Sequence, residues 1–260
     1  MTAPWSMRHK WWKKLPAWWM YQRGDLLSAD RIHSTSPNEI QWNQSRGLDK
    51  QVLIPLGTHL PTLGNKAAHH PQKTLLYVGR LHPVKAVDRL IEAFARVPSR
   101  VRAGWRLRLV GPNEAGHEAV LRQICAREGL VCQGPSSEVD FAGPLFGAEL
   151  AAEYASCDCL ALVSHTENFG ATVVDAMAYG KPVLTSTRTP WDEVGVLKCG
   201  WWVDNSPEEL ARTLEQMMSL SDSEREEMGR RGRELVERKY TWDAVGRSMI
   251  KVYEEVLHGC

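Results

Sequence analysis

The stretch from Cys159 to Ser186 constrains the fold of this chain more than any other. It opens with an unbroken apolar run, Cys159-Leu160-Ala161-Leu162-Val163, leading into Ser164. Such a run has the length and composition of a buried strand. A polar turn follows, from His165 to Asn168. Phe169 to Tyr179 then repeats apolar residues at helical spacing, and Gly180 closes that helix. Pro182-Val183-Leu184-Thr185-Ser186 begins the next strand. Strand, turn, helix and strand in so short a span are one unit of a parallel α/β sheet. The turn between such a strand and its helix is where these sheets place anionic ligands. Here it carries one carboxylate, Glu167, and the helix carries another, Asp175.

The same alternation extends on both sides. Strands are expected at 74–79, 105–111, 139–143 and 200–204, and helices at 84–97, 114–129, 148–155, 207–220, 223–239 and 242–257. This predicts an α/β fold, a Rossmann-like parallel sheet covered by helices on both faces. Earlier residues are less regular. Arg31 to Thr35 reads as a short strand, and Val52 to Gly57 as another. Between them Ser36-Pro37-Asn38-Glu39 has the form of a helix start, with Ser36 as cap and Pro37 in the first turn. The expected domains are 1–58, a linker over 59–72, and a sheet domain over 73–260.

Before Asp25 the chain carries Arg8, Lys10, Lys13, Lys14 and Arg23 with no acid, interleaved with Trp5, Trp11, Trp12, Trp18 and Trp19. Residues 9–28 read as a helix, basic on one side and aromatic on the other, with Pro16 as a kink. Residues 5–23 suit a membrane surface or a partner. A helix packed on a neighbouring domain fits the pattern as well. No apolar run is long enough to span a bilayer, and the N-terminus lacks the apolar core of a signal peptide, so a cytoplasmic chain is expected. The six cysteines have no zinc-site spacing, and Cys157 and Cys159, at the start of a buried strand, read as reduced core thiols. The adjacent His69 and His70 read as solvated. A net charge of +1 gives no sign of a nucleic-acid partner.

Three strand ends on one sheet edge hold candidate ligands. At Gly79-Arg80-Leu81-His82-Pro83-Val84-Lys85, Arg80 and Lys85 stand at a helix start and could hold a diphosphate, or form a solvated basic turn. Gly111 either leaves room for a ligand or makes a turn. Around Glu167, residues Asn168, Phe169 and Gly170 present the N–H groups of a first helical turn. Asp175 is a poor helix former placed inside a helix, which suggests a task for it. Cations suit the middle of an elongated anionic ligand and carboxylates suit hydroxyl-rich ends, a layout that matches a nucleotide-sugar.

The residues Glu167-x7-Asp175, within Glu-Asn-Phe-Gly-Ala-Thr-Val-Val-Asp-Ala-Met-Ala-Tyr-Gly-Lys-Pro-Val, resemble the Glu-x7-Glu signature of retaining glycosyltransferases of family four (group 1). Tyr77-Val78-Gly79-Arg80-Leu81 with Lys85 is similar to that family's donor-diphosphate motif. Asp140 to Gly143, Tyr154, Thr189-Pro190-Trp191 and Gly200 to Val203 resemble members acting in lipopolysaccharide or exopolysaccharide assembly. The resemblance implies a GT-B fold, no metal and no cofactor beyond the nucleotide-diphosphate sugar itself. It implies that Arg80 and Lys85 hold the diphosphate beside Gly79, that Glu167 lies by the donor sugar, that the backbone of Asn168, Phe169, Gly170 and Ala171 approaches sugar and phosphate, and that Asp175 takes the ribose hydroxyls. The implied reaction moves a hexose to a glycan or lipid-linked acceptor with retention, in cell-surface polysaccharide biosynthesis, at the inner face of a membrane. Three departures stand out. Asp175 replaces the second Glu, Ala86 stands where the family has Gly, and the acceptor-side sheet has no counterpart in these residues. A truncated N-terminal domain is therefore expected, and with it either a partner chain supplying the acceptor domain or a nucleotide-sugar binding module without turnover of its own. A GT-B epimerase or phosphorylase fits the motif context less well.

Overall fold

The computed structural model of the chain describes residues 11–63, 72–132, 134 and 137–258. Contacts divide it into two units, Met1–Gly57 with Lys239–Cys260, and Thr58–Arg238. The sequence expectation left the last helix with the sheet domain; in the structure it groups with the N-terminal residues instead. Trp242 gives the reason, because its ring lies against the backbone of Gly57.

The first unit begins with a helix in three pieces: α1 (Trp11–Ala17), a π-helical turn (Trp18–Gln22) and α2 (Arg23–Ser28). The expected single helix over 9–28 is thus interrupted. Pro16 supplies no N–H to the helical ladder, and the wide turn follows two residues later, with the Arg23 N–H reaching back to the Trp18 carbonyl. Trp18 is buried with Ile32 and Leu48, so it belongs to a core, whereas Trp12 and Trp19 are exposed. Trp5, Arg8, Lys10 and the His69-His70 pair lie outside the described residues. Strands β1 (Ile32–Ser34) and β2 (Gln51–Leu53) pair in parallel around α3 (Pro37–Gln44). Ser36 caps α3 by accepting from the Glu39 N–H, while the Glu39 carboxylate takes the Thr35 N–H and hydroxyl. The last helix of the unit is Trp242–His258.

The second unit is a six-stranded parallel sheet with flanking helices. In chain order it runs β3 (Lys73–Val78), α4 (Val87–Arg96), α5 (Ser99–Arg102), β4 (Trp105–Val110), α6 (His117–Arg127), β5 (Val139–Gly143), α7 (Gly147–Ser156), β6 (Cys159–Leu162), α8 (Ala171–Ala178), β7 (Val183–Ser186), α9 (Glu193–Val196), β8 (Gly200–Val203), α10 (Pro207–Ser219) and α11 (Asp222–Lys239). The strand order is β5-β4-β3-β6-β7-β8. Leu75, Leu76, Tyr77 and the whole of β6 and β7 are buried, as central parallel strands covered on both faces must be. Edge-side β4 alternates instead, and Arg108 leaves the sheet to pair with Glu153 and Asp140. The order reverses between β3 and β6, which pair through Leu75–Cys159 and Leu76–Leu160. In open parallel sheets the crevice for a ligand lies at this reversal, beyond the C-terminal ends of the strands.

Helix starts differ from the sequence expectation in one consistent way. The helix after β3 begins at Val87, not Val84, because Pro83–Lys85 forms a 3₁₀ turn and Ala86 adopts a left-handed conformation (φ 53°). The helix after β4 begins at His117, after the left-handed pair Ala115 and Gly116. The helix after β6 begins at Ala171, after left-handed Gly170. Each break lengthens the turn on the ligand-side edge.

Candidate active site

Two turns meet at the sheet reversal. The first leaves β3 at Gly79. Its path is fixed by Gly111, where φ is 144° and a Cβ would stand 1.9 Å from the Gly79 carbonyl oxygen. Gly111 therefore makes room for the neighbouring turn. The Tyr77 hydroxyl donates to the Arg80 carbonyl at 2.9 Å and holds the same turn from below. Ala86, fully buried and left-handed, ends it at a steric cost of about 1–2 kcal/mol that a glycine would avoid.

The second turn leaves β6 at Ser164 and carries Glu167. Ser186 donates from its hydroxyl to the Ser164 carbonyl at 2.7 Å. The His165 N–H donates to the Val84 carbonyl at 2.9 Å, which joins the two turns directly. Gly170 caps α8, with a Cβ there coming within 2.9 Å of Leu162 and 3.1 Å of Trp191 Nε1. Phe169 is buried against Trp191, ring centres 5.2 Å apart, and its carbonyl accepts from Trp191 Nε1 at 2.5 Å. The Phe169 side chain and carbonyl thus anchor the turn on Trp191. Asn168 and Ala171 are exposed at the start of α8.

Lys85 and Glu167 come together across the reversal, Nζ to Oε2 at 2.5 Å, with side chains 16% and 14% exposed. The Ser164 hydroxyl donates to the same carboxylate oxygen at 3.2 Å. Arg80, the other expected cation, stands apart from this pair. Its guanidinium is half exposed and pairs with Glu114 at 2.6 Å. Asp175 accepts a hydrogen bond from the Thr58 hydroxyl at 2.6 Å. Burial raises its carboxyl above the ordinary value, and the Thr58 bond opposes that rise. Nothing in the sequence around Thr58 marks it, and it lies 117 residues away from Asp175.

A further set of side chains holds the Glu167 turn from beneath. Asn205, after β8, is buried and donates from Nδ2 to the Val163 carbonyl at 3.1 Å. Arg89 on α4 donates to the Asn205 carbonyl and Oδ1 at 3.1 and 3.0 Å. No motif in the sequence singles these two residues out.

A cavity of about 780 Å³ opens at the opposite edge of the sheet, lined among others by Lys73, Trp105, Asp158, Lys181, Asp222 and Arg225. Its charges serve one another: Asp222 pairs with Lys73 and Arg225, and Asp158 takes the Thr74 N–H. It lies away from the strand ends where the two turns converge. Among the described residues no three His, Cys, Asp or Glu side chains come together as ligands for a metal ion. Cys125, Cys157, Cys159 and Cys199 are buried free thiols, and burial pushes Cys157 up to about 12 and Cys199 up to about 11, so they stay protonated.

The family model for glycosyl transferases group 1 matches residues 64–235, which include both turns. This chain belongs to the glycosyl transferase group 1 family. It is 32% identical over 217 residues to a D-inositol 3-phosphate glycosyltransferase of Salinispora tropica, covering 80% of this chain and 42% of the relative. Sucrose-phosphate synthase from Thermosynechococcus elongatus superposes with TM-score 0.75 at 25% identity, over 93% of this chain and 62% of that one. The Anabaena protein HepE, solved with UDP and glucose, superposes with TM-score 0.73 at 19% identity, over 87% and 64%. The group 1 chain described here thus spans about two fifths of the length of its curated relative.

Proposed function

We propose that this chain binds the nucleotide-diphosphate sugar donor of a glycosyltransferase at the β3–β6 reversal. The observation that carries the reading is the mostly buried Lys85–Glu167 pair at 2.5 Å, set between the end of β3 and the first turn of α8. A lysine on a tight turn suits a diphosphate, and its charge would stabilise the leaving nucleotide as the glycosidic bond breaks. Glu167 then accepts from hydroxyls of the donor sugar, and the backbone at Asn168 to Ala171 faces sugar and phosphate. Arg80 would leave Glu114 to join the diphosphate. Asp175 would take the ribose, with Thr58 shaping its reach. The finer reaction is proposed on the sequence resemblance: transfer of a hexose, with retention, to a glycan or lipid-linked acceptor in cell-surface polysaccharide assembly. No metal enters this scheme, and the lysine and helix N–H groups carry the charge.

A second reading, a donor-binding module that needs a separate acceptor domain, is favoured by one observation. Among the described residues the first unit holds only a two-stranded sheet. The exposed Trp12, Leu15 and Trp19 of its N-terminal helix fit the proposal that this unit rests on a membrane surface or on such a partner. Calorimetry with UDP, GDP and ADP tests the donor site: one of them should bind, and Lys85→Ala should weaken it. Transfer of labelled sugar by residues 1–260 alone would then rule out the second reading.

A further inference from the structure

The imidazole of His165 stands two residues before Glu167, and its surroundings restrict its chemistry. Its Nδ1 lies 3.2 Å from Asn205 Nδ2. The orientation of the Asn205 amide follows from Arg89, because a guanidinium carries only donors. Arg89 Nη1 is 3.0 Å from Asn205 Oδ1, so that atom is the oxygen and the other is the NH2. The NH2 donates to the Val163 carbonyl at 3.1 Å, and its second hydrogen is left for His165. Nδ1 must therefore accept, which places the ring proton on Nε2. A protonated ring would set N–H against N–H at this contact.

We infer that Arg89 and Asn205 form a relay that fixes His165 as the neutral Nε2–H tautomer, and that this contact positions the turn carrying Glu167. The relay has two attachments to that turn, the Val163 carbonyl before it and the His165 ring within it; a separate backbone bond runs from the His165 N–H to the Val84 carbonyl. The relay therefore links α4 and the β8 loop to the glutamate turn, and the backbone bond from His165 to Val84 joins that turn to the lysine turn. Arg89 and Asn205 are positioning residues, since they act through His165 and Val163.

The charges facing the ring agree with this. His165 is exposed as a residue, yet partial desolvation of the ring by its neighbours is the largest influence and lowers its pKa below the ordinary 6.5; Arg89 on α4 and Arg188 after β7 also disfavour the cation, and Asp88 on α4 favours it. Asp204 beside Asn205 is held ionised by the Ser206 N–H and hydroxyl, and Arg188 and Arg89 also favour its charge. Glu167 is matched by Lys85. As pH falls through the lowered value, His165 gains its proton and the Asn205 contact to its ring breaks, so the turn loses that one anchor while the Val163 and Val84 bonds remain.

The first half of the inference stands on hydrogen bonds alone; the consequence for the donor rests on the proposed function. Long-range ¹H–¹⁵N correlation on the full chain labelled at histidine reads the tautomer directly. The expected result at pH 7.5 is Nε2–H for His165, with loss of that single tautomer in Asn205→Ala. Backbone amides of residues 164–168 should shift as pH drops from 7.5 to 5, and should not shift in His165→Asn, whose Oδ1 replaces the Nδ1 acceptor and does not titrate. An Nδ1–H ring, a cationic ring at pH 7.5, or the same shifts in His165→Asn would overturn the relay. Binding of UDP, GDP and ADP at both pH values separates the two claims. A bound nucleotide whose affinity falls several-fold at pH 5 in wild type but not in His165→Asn supports the positioning role. Equal falls in both overturn it, and no binding by any nucleotide, with the tautomer as expected, counts against the donor site alone.

Discussion

Glu167→Gln separates the two tasks of the Lys85–Glu167 pair. In the chain as described, the Lys85 ammonium is matched by Glu167 with both side chains mostly buried. A diphosphate must draw Lys85 away from that carboxylate. Removing one member of a fully buried pair costs about 3–5 kcal/mol, and an exposed pair is worth about 0–1 kcal/mol. At 14–16% exposure this pair lies between them, so breaking it costs about 1–3 kcal/mol. Glutamine keeps a neutral hydrogen bond and returns part of that energy to the ligand. About 1 kcal/mol regained corresponds to roughly fivefold tighter binding of a nucleoside diphosphate without its sugar. Lys85→Ala acts in the opposite direction: losing a charge-assisted bond of about 1.5–3 kcal/mol weakens binding by roughly 10–150-fold. It also leaves Glu167 without its cation and should lower the melting temperature by roughly 2–4 °C for each kcal/mol lost. Calorimetry gives the affinities and thermal unfolding the stability control. If Glu167→Gln weakens nucleoside diphosphate binding as much as Lys85→Ala does, the pair is not what the diphosphate competes with, and the reasoning fails.

Three further outcomes follow from the geometry. Trp191→Phe keeps the ring contact with Phe169 but removes its Nε1–H, leaving the buried Phe169 carbonyl without that donor; urea unfolding should show a loss of about 1–3 kcal/mol. Gly111→Ala puts a methyl against the Gly79 carbonyl at positive φ; a loss of at least about 3 kcal/mol, or failure to fold, is expected. Asp175 has a raised carboxyl pKa, so the folded chain holds its proton more tightly than the unfolded chain. Stability from this group is present below the unfolded value near 3.8 and is lost as pH rises through the higher folded value. Asp175→Asn, which still accepts from Thr58, should therefore be more stable than wild type at pH 7, with the advantage vanishing below pH 3.8 in paired denaturation curves.

The sheet was legible because its central strands are buried on both faces and so read as unbroken apolar runs, as at Leu75–Val78 and Cys159–Val163. The helix between Gly170 and Gly180 was legible from its apolar spacing, although its first turn was misplaced. There, and after β3 and β4, the chain keeps helix-like composition while a left-handed residue delays the helix. Nothing in a stretch such as Val84-Lys85-Ala86-Val87 marks that break, because alanine is a good helix former and adopts φ 53° here only under tertiary constraint. The contacts that shape the site were hidden for a different reason. Thr58 meets Asp175 across 117 residues, and Asn205 meets His165 across 40. No local pattern encodes such a distance. Trp18 shows the converse limit: its neighbours Trp12 and Trp19 are exposed, and only the π turn and the packing of Ile32 and Leu48 turn it inward.

The central claim is that the β3–β6 reversal is where this chain takes its ligand. Hydrogen exchange with and without the tightest-binding member of UDP, GDP and ADP tests it directly. Protection is predicted at residues 79–86 and 164–171, on the edge where Lys85 and Glu167 meet. Protection confined to the opposite edge, around Lys73, Trp105 and Lys181, with none at those two turns, would contradict the account.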